Sequence, residues 1–346
     1  MKVDYIIVGC GLAGIAFAEQ LTTHGRSFIM IDDKSQQSSS IAGGLYNPVV
    51  LKRFTMAWKA NVQLQKAKPF YASLEDKLGI QLDYEMPIRR LFHSAEEQNN
   101  WFLACDDLNL TQYLSPQLVS VKSDCFSNEF GLGEVRQTGR IDTYALIKSY
   151  KDHLRHSDQL LNESFHHDSI KFNGTSMSYR DFATDHIIFA EGFGLKANPY
   201  FNDLPLNGTK GELITIHAPD LKLDFIMKSS VFLIPVGRDQ YRVGATYDRS
   251  DKSNRPSDKG YKELTKKLNN IIKCRYEVVD HVAGMRPTVS DRRPLVGQHK
   301  SNKPLYVLNG LGSRGVIIAP YVAWKLFEFI ENKVPLDSVM DISRFN

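Results

Sequence analysis

The hydrophobic pattern opens with Tyr5 to Val8, an unbroken apolar run of the kind found in strands buried on both faces of a parallel sheet. Gly9 to Gly14 (GCGLAG) follows at once, and then Ile15, Phe17, Ala18 and Leu21 recur at helical spacing. A second apolar run, Phe28 to Ile31, ends in Asp32 and Asp33. Strand, glycine turn, helix, strand and acid in this order predict a βαβ unit. Farther on, the periodicity predicts an amphipathic helix over roughly 56–78 and strand-like stretches at 88–92 and within 118–135. Asp142 or Thr143 caps a helix carrying Leu146, Ile147 and Tyr150 on one face. A buried strand, His186 to Ala190, leads into Glu191 and Gly192. Alternating stretches between Gly211 and Tyr247 (ELITIHA, SVFLIPV, YRVGATYD) read as antiparallel strands. A basic amphipathic helix over 261–272 reads as a solvated face rather than a tRNA clamp. The strand LYVLNG then runs into a second glycine-rich turn, Gly310 to Gly315, and a helix from about Val316.

The first turn has the chemistry of a dinucleotide site. Gly9 permits a tight turn, Gly11 lets backbone approach a pyrophosphate, and Gly14 lets helix pack on strand. Leu12 and Ala13 lie between them, at a helix N-terminus whose free N–H groups attract anions. Asp32, 18 residues beyond Gly14, and its neighbour Asp33 can accept hydrogen bonds from an adenosine ribose. Both NAD and FAD bury an ADP moiety in this way, so the turn alone leaves the choice open. In IAGGLYNPVV, Gly43, Gly44 and Leu45 mark irregular backbone able to run against a flat ligand, with a surface turn as the alternative. Ala190 and Gly192 offer similar close approach. The second turn can aim another helix N-terminus at an electron-rich group through the N–H groups around Gly310, Gly312, Ser313, Arg314, Gly315 and Val316.

Composition narrows the classes without choosing among them. The 346 residues suffice for two domains of ordinary globular make-up, with 42% hydrophobic and 24% charged residues. No apolar run approaches the roughly 18 residues of a membrane span. The net charge of +4 is too small to indicate a dedicated nucleic-acid domain. Four cysteines without metal or disulfide spacing fit a reducing cytoplasm and indicate no metal site.

Taken in order, GCGLAG, Asp32, the IDTYAL helix, IIFAEG, VGATYD, GMRP and the closing NGLGSRGVIIAP resemble the FAD-dependent D-amino-acid-oxidase (DAO) family, which includes glycine and sarcosine oxidases. Within it, GLYNPVV, LKRF, GSRG and PLDSVMDISRF are most similar to the C-terminal oxidase domain of the MnmC tRNA-modification subfamily, although the methyltransferase half is absent here. The resemblance implies an α/β fold, α+β overall. A Rossmann-like FAD-binding domain (1–85, 140–210 and 278–346) would carry a second, mostly antiparallel-sheet substrate domain (86–139 and 211–277). FAD would be noncovalent, since no cysteine stands in 310–320.

The implied reaction is oxidation of a C–N bond in an amino acid or N-substituted glycine, by hydride transfer to flavin N5 and hydrolysis of the imine. Flavin carries the chemistry, and the protein binds and orients. Arg286, in GMRP, is the expected carboxylate anchor, its planar fork matching a carboxylate. Tyr247 and Tyr46 are expected near flavin or substrate, with core packing the alternative in a chain of 15 tyrosines. Arg314 either meets a second anion or forms a salt bridge. Phe232, Lys52 and Arg53 are weaker pocket candidates, and His93, His217 and His281 read as structural. The expected partners are a small amino-acid-like substrate and an electron acceptor, oxygen or another carrier. Alternative readings are a tRNA wobble-uridine carboxymethylaminomethyl oxidase, a flavin-dependent 2-hydroxy-acid dehydrogenase, and a flavin-binding protein without turnover.

Overall fold

The computed structural model describes residues 1–173, 176–302 and 304–345. The first apolar run is the strand Lys2–Val8, and its side chains alternate between two cores. From Tyr5 onward the alternation is strict, Tyr5 and Ile7 joining one cluster and Ile6 and Val8 the other, while Val3 at the strand's start falls with the latter. The two-residue strand period sends successive side chains to opposite faces, so apolar residues at both parities require cover on both faces. Full burial of each large side chain contributes about 1.5–3 kcal/mol.

Phe28–Ile31 and Phe182–Phe189 flank this strand in parallel, Leu160–Leu161 pairs outside the former, and Leu305–Asn309 pairs with the latter. Antiparallel strands Ile170–Asn173, Ser176–Tyr179 and Leu295–Gln298 complete the eight-stranded sheet. Its register places the site. Val8 lies opposite Ile31 and Phe189, and Phe189 lies opposite Val307. The carboxyl ends of four parallel strands therefore share one edge, and Gly9, Asp32, Ala190 and Asn309 emerge along it, where open α/β sheets bind ligands.

Helices Leu12–Thr23 and Gly315–Glu331 pack against each other on one face, and Ala60–Leu78 packs against the latter. The Tyr71 hydroxyl of that helix donates to the Val316 carbonyl at 2.8 Å. Two helices begin away from their expected positions. The helix expected from residue 56 starts at Ala60, because Thr55–Met56 pairs with Val49–Val50. The basic helix is Asp258–Asn269, beginning early because the Ser257 hydroxyl caps it by accepting from the Gly260 N–H at 3.1 Å. Asp142 caps Thr143–His156, accepting from the Ala145 N–H at 3.0 Å.

The second eight-stranded sheet runs in the order Glu277–Arg286, Thr209–His217, Gln240–Gly244, Phe232–Gly237, Ile226–Lys228, Ile88–Leu91, Leu132–Val135, Leu114–Val119. All its pairings are antiparallel except that between Ile226–Lys228 and Ile88–Leu91. The strand Glu277–Arg286 belongs to this sheet, so the segment 278–346 expected in the nucleotide domain begins inside the second sheet. Leu264 and Leu268 of the basic helix pack with Ile214 and Ile216 on one face, while Ile226 and Ile234 of the same sheet join the cluster that holds Tyr5 and Ile7. A small sheet of Leu45–Tyr46, Gly139–Ile141 and Asp83–Glu85 completes this region.

Candidate active site

A cleft of about 650 Å³ opens along the carboxyl edge of the first sheet and continues over the second. At one end Gly9 turns with φ +102°, and a Cβ there would stand 2.5 Å from the Ala190 carbonyl oxygen. A Cβ on Gly14 would stand 2.0 Å from the Gly9 carbonyl oxygen, so only glycine lets the helix sit this close to the strand end. The helix N-terminus that follows has no side-chain cap, and the Leu12 N–H donates to Ser39 Oγ at 3.3 Å.

Gly11, Leu12, Ala13, Asp32, Asp33, Ala190 and Gly192 line this end, while Gly14 lies behind it as a packing residue. Asp32 accepts from the Cys10 N–H at 2.8 Å and from the Lys151 ammonium at 2.5 Å, which fixes the carboxylate at the mouth of the turn. Burial acts to raise the Asp33 pKa, but hydrogen bonds from Ser35 and Ser164 outweigh it and hold the carboxyl below its ordinary range.

In the middle of the cleft lie Gly43, Gly44 and Leu45 on one side and Gly312, Ser313, Gly315 and Val316 on the other. The segment before Gly43 is clamped by Arg242, which donates to the carbonyls of Ala42 at 2.8 Å and Ile41 at 2.7 Å. The last helix, like the first, starts without a side-chain cap. Two uncapped helix N-termini thus face one cavity, each offering free N–H groups and a partial positive charge.

Arg286 and Tyr247 line the far end. The Arg286 guanidinium lies over Gly211, where a Cβ would stand 2.0 Å from one of its nitrogens, and it donates to the Thr246 carbonyl at 3.2 Å. Burial lowers its pKa from the usual arginine value, and no carboxylate of the described residues pairs with it. Tyr247 is 56% exposed at the rim.

Three expected site residues stand elsewhere. Tyr46 is 3% exposed and points away from the cleft, donating to Asp83 at 2.8 Å. Leu45 and Tyr46 are successive strand residues, so placing Leu45 on the cleft sends Tyr46 to the opposite face. The Arg314 side chain meets neither an anion nor an acidic partner. It turns back to donate to the Asn47 carbonyl, tying the GGLYNP and GSRG segments together, and burial lowers its pKa to about 10. Gly310 serves the turn with φ +72° but does not line the cavity. Phe232 does line it, whereas Lys52 and Arg53 are exposed outside it.

Other lining residues had no signal of their own. Gln36, Ser38 and Ser39 come from the polar loop 34–40, and Glu163 and His167 join through tertiary folding. Lys228, between Met227 and Ser229, likewise joins the lining through the fold.

A family model described as FAD dependent oxidoreductase (DAO) matches residues 4–328. The chain belongs to the DAO family of FAD-dependent oxidoreductases. It is an enzyme and its cofactor is FAD, which the glycine turns, the two uncapped helix ends and the carboxylates of the cleft fit. The glycine oxidase of Bacillus subtilis (strain 168) is 24% identical over 66% of this chain and 64% of its own length. The MnmC bifunctional tRNA 5-methylaminomethyl-2-thiouridine biosynthesis protein of Marinobacter nauticus is 23% identical over 92% of this chain and 54% of its own. The chain thus spans about half the length of its MnmC relative and under two thirds of the glycine oxidase. Among solved structures, the glycine oxidase of Geobacillus kaustophilus superposes with a TM-score of 0.78 at 18% identity, covering 97% of each chain. That likeness confirms the fold, a mixed α/β architecture with two multi-stranded sheets.

Proposed function

We propose that this DAO-family enzyme oxidises the C–N bond of a small amino acid or N-substituted glycine held by its carboxylate. The observation that carries the reading is Arg286, a half-buried guanidinium in the part of the cleft formed by the second sheet, without an acidic partner among the described residues. A desolvated arginine fork is matched by a carboxylate through two parallel hydrogen bonds, and the glycine oxidase relatives support an amino-acid substrate. FAD, when bound, accepts the hydride from the carbon beside the nitrogen.

The chain's own work is placement. Gly211 leaves room for the Arg286 side chain to lie flat, and the Thr246 carbonyl orients it. Arg242 holds the 41–42 backbone in position. The N–H groups of Gly315 and Val316 at the start of the last helix favour negative charge developing beside them. Noncovalent attachment of FAD is consistent with the absence of cysteine in 310–320.

Oxidation of a hydroxy acid would draw on a base for the hydroxyl proton. Among the described residues the cleft's one histidine is His167, held 3.2 Å from Glu191 beside the nucleotide turn. A second reading, removal of a carboxymethyl group from a tRNA uridine side chain, draws support from the MnmC relative, whose match covers 92% of this chain. Anaerobic titration of the FAD-loaded protein tests these readings. Bleaching of the oxidised flavin band by glycine, sarcosine or a D-amino acid supports the proposal. Bleaching by 2-hydroxy acids alone, or only by tRNA bearing carboxymethylaminomethyl-uridine, replaces it.

A further inference from the structure

Arg286 does not account for all the positive charge at the substrate end. Lys228, the last residue of the Ile226–Lys228 strand, faces the same cleft. Its ammonium donates to the Ser229 carbonyl at 2.6 Å and stands 4.7 Å from the centre of the Phe232 ring. An ammonium carries three donors, and no carboxylate of the described residues pairs with this one. The cations nearest to it are neutralised, Arg90 by Glu97 at 2.5 Å and Lys267 by Glu263 at 2.6 Å.

The carboxylates lining the cleft are engaged at the other end: Asp32 with Lys151, Asp33 with Ser35 and Ser164, Glu163 with Arg180, and Glu191 with His167 and Asn198. Two cations without counter-charge are therefore left at the substrate end.

Sheet register sets their separation. Lys228 lies opposite Phe232, Phe232 opposite Gly244, and Gly244 opposite Leu213, two residues along the strand from the Gly211 that Arg286 covers. Three strand spacings put about 14 Å between Lys228 and the strand of Gly211; Arg286 stands one strand farther, opposite Thr209, and its guanidinium reaches back over Gly211 while the Lys228 side chain enters from the other end. What remains between them suits a ligand with an anion at each end.

We infer that the site takes an amino dicarboxylate, with Arg286 holding the carboxylate beside the oxidised carbon and Lys228 holding the second. The inference rests on the amine-oxidation reading above and narrows its substrate class. Iminodiacetate is a simple member. The carbon beside its nitrogen gives a hydride to FAD and the nitrogen loses a proton, leaving a C=N bond. Water then adds, the C–N bond breaks, and glycine and glyoxylate leave with FAD reduced by two electrons.

The test pairs a binding readout with a redox one on the FAD-loaded protein. Oxydiacetate, an ether that keeps both carboxylates, and methoxyacetate, which keeps one, are titrated by calorimetry. Iminodiacetate and sarcosine are added anaerobically while the flavin band is followed. Oxydiacetate should bind about tenfold more tightly than methoxyacetate, the gain expected of one charge-assisted contact. Iminodiacetate should bleach the flavin at lower concentration than sarcosine. Lys228→Met should bring the affinity ratio close to one, and Lys228→Arg should keep most of it. Equal affinities in the wild type, or a ratio that Lys228→Met leaves intact, overturn the inference. If sarcosine bleaches the flavin without any dicarboxylate preference, amine oxidation stands and the inference alone falls. If neither amine bleaches it, both fall.

Discussion

The two ends of the cleft are built by different means. The nucleotide end is made of backbone at the carboxyl ends of parallel strands, where Gly9, Asp32 and Ala190 each follow directly on a strand residue whose register with its neighbour is fixed. Its carboxylates are held by protein donors before any ligand arrives. The substrate end is made of side chains on strands of the second sheet, Arg286, Phe232 and Lys228, with Tyr247 just beyond one of them, and its cations lack acidic partners among the described residues. The first end is satisfied within the protein except for its helix N–H groups; the second leaves whole charges to be met by a ligand. A backbone site tolerates little volume change but presents a generic surface, whereas a side-chain site can be retuned one residue at a time.

If that contrast is right, the largest effect should come from crowding the backbone end. Gly14→Val places side-chain atoms where even a Cβ stands 2.0 Å from the Gly9 carbonyl oxygen, and the purified variant should carry no FAD, measured as flavin absorbance per protein. Wild-type flavin content would contradict the assignment of that turn. Arg286→Met should keep its FAD and lower kcat/KM for a carboxylate substrate by about 10²–10³, the scale of a lost buried charge pairing. A loss of flavin instead would show that the two ends are not separable.

A smaller effect is expected from Gly211→Ala, whose added Cβ would stand 2.0–2.4 Å from the Arg286 guanidinium atoms and must displace them. KM should rise about tenfold, near the loss of one charge-assisted hydrogen bond, with flavin content unchanged. Stopped-flow reduction at saturating substrate separates this from a change in the chemical step.

Lys228 supplies a pH test. Burial, together with the nearby charges of Arg90 and Lys267, lowers its pKa to about 8, against roughly 10.4 for the unfolded chain. Between those values the unfolded state binds the extra proton, so stability rises with pH. The penalty of the buried charge is fully present below pH about 8 and fades toward about 10.4. Lys228→Met should accordingly raise Tm at pH 7 and raise it less at pH 10.5. A lower Tm at pH 7 would mean that the lysine is a structural support rather than a charge kept for a ligand.

The smallest kinetic effect belongs to Tyr46→Phe, which should leave kcat/KM within about twofold. It should cost roughly 1 kcal/mol of stability in denaturant unfolding, as its hydrogen bond to Asp83 is lost. A large kinetic defect would return this tyrosine to the active site.

These contrasts follow how much of the site could be read along the chain. GCGLAG, the 28–31 strand and Asp32 are local signals, since a turn that must reverse within a few residues dictates glycine wherever backbone meets backbone. The same logic made the second turn and its helix legible. Tyr46 and Arg314 were misplaced because a motif names residues without saying which face they take. One residue of strand parity turned Tyr46 toward Asp83, and the Asn47 carbonyl drew Arg314 inward. Lys228 stands between Met227 and Ser229 with no local pattern to mark it, and its meaning required a second cation from a strand 58 residues later.

The amino-acid order by itself determined the central strand's two-faced burial, the glycine turns and the alternation of the second sheet, because these depend on periodicity and on steric limits within a few residues. Only the tertiary structure decided that Arg286 and Lys228 share one cavity while their neighbouring cations are neutralised. Charge balance in a desolvated site is a sum over groups that the chain brings together from distant segments, and no local pattern encodes that sum.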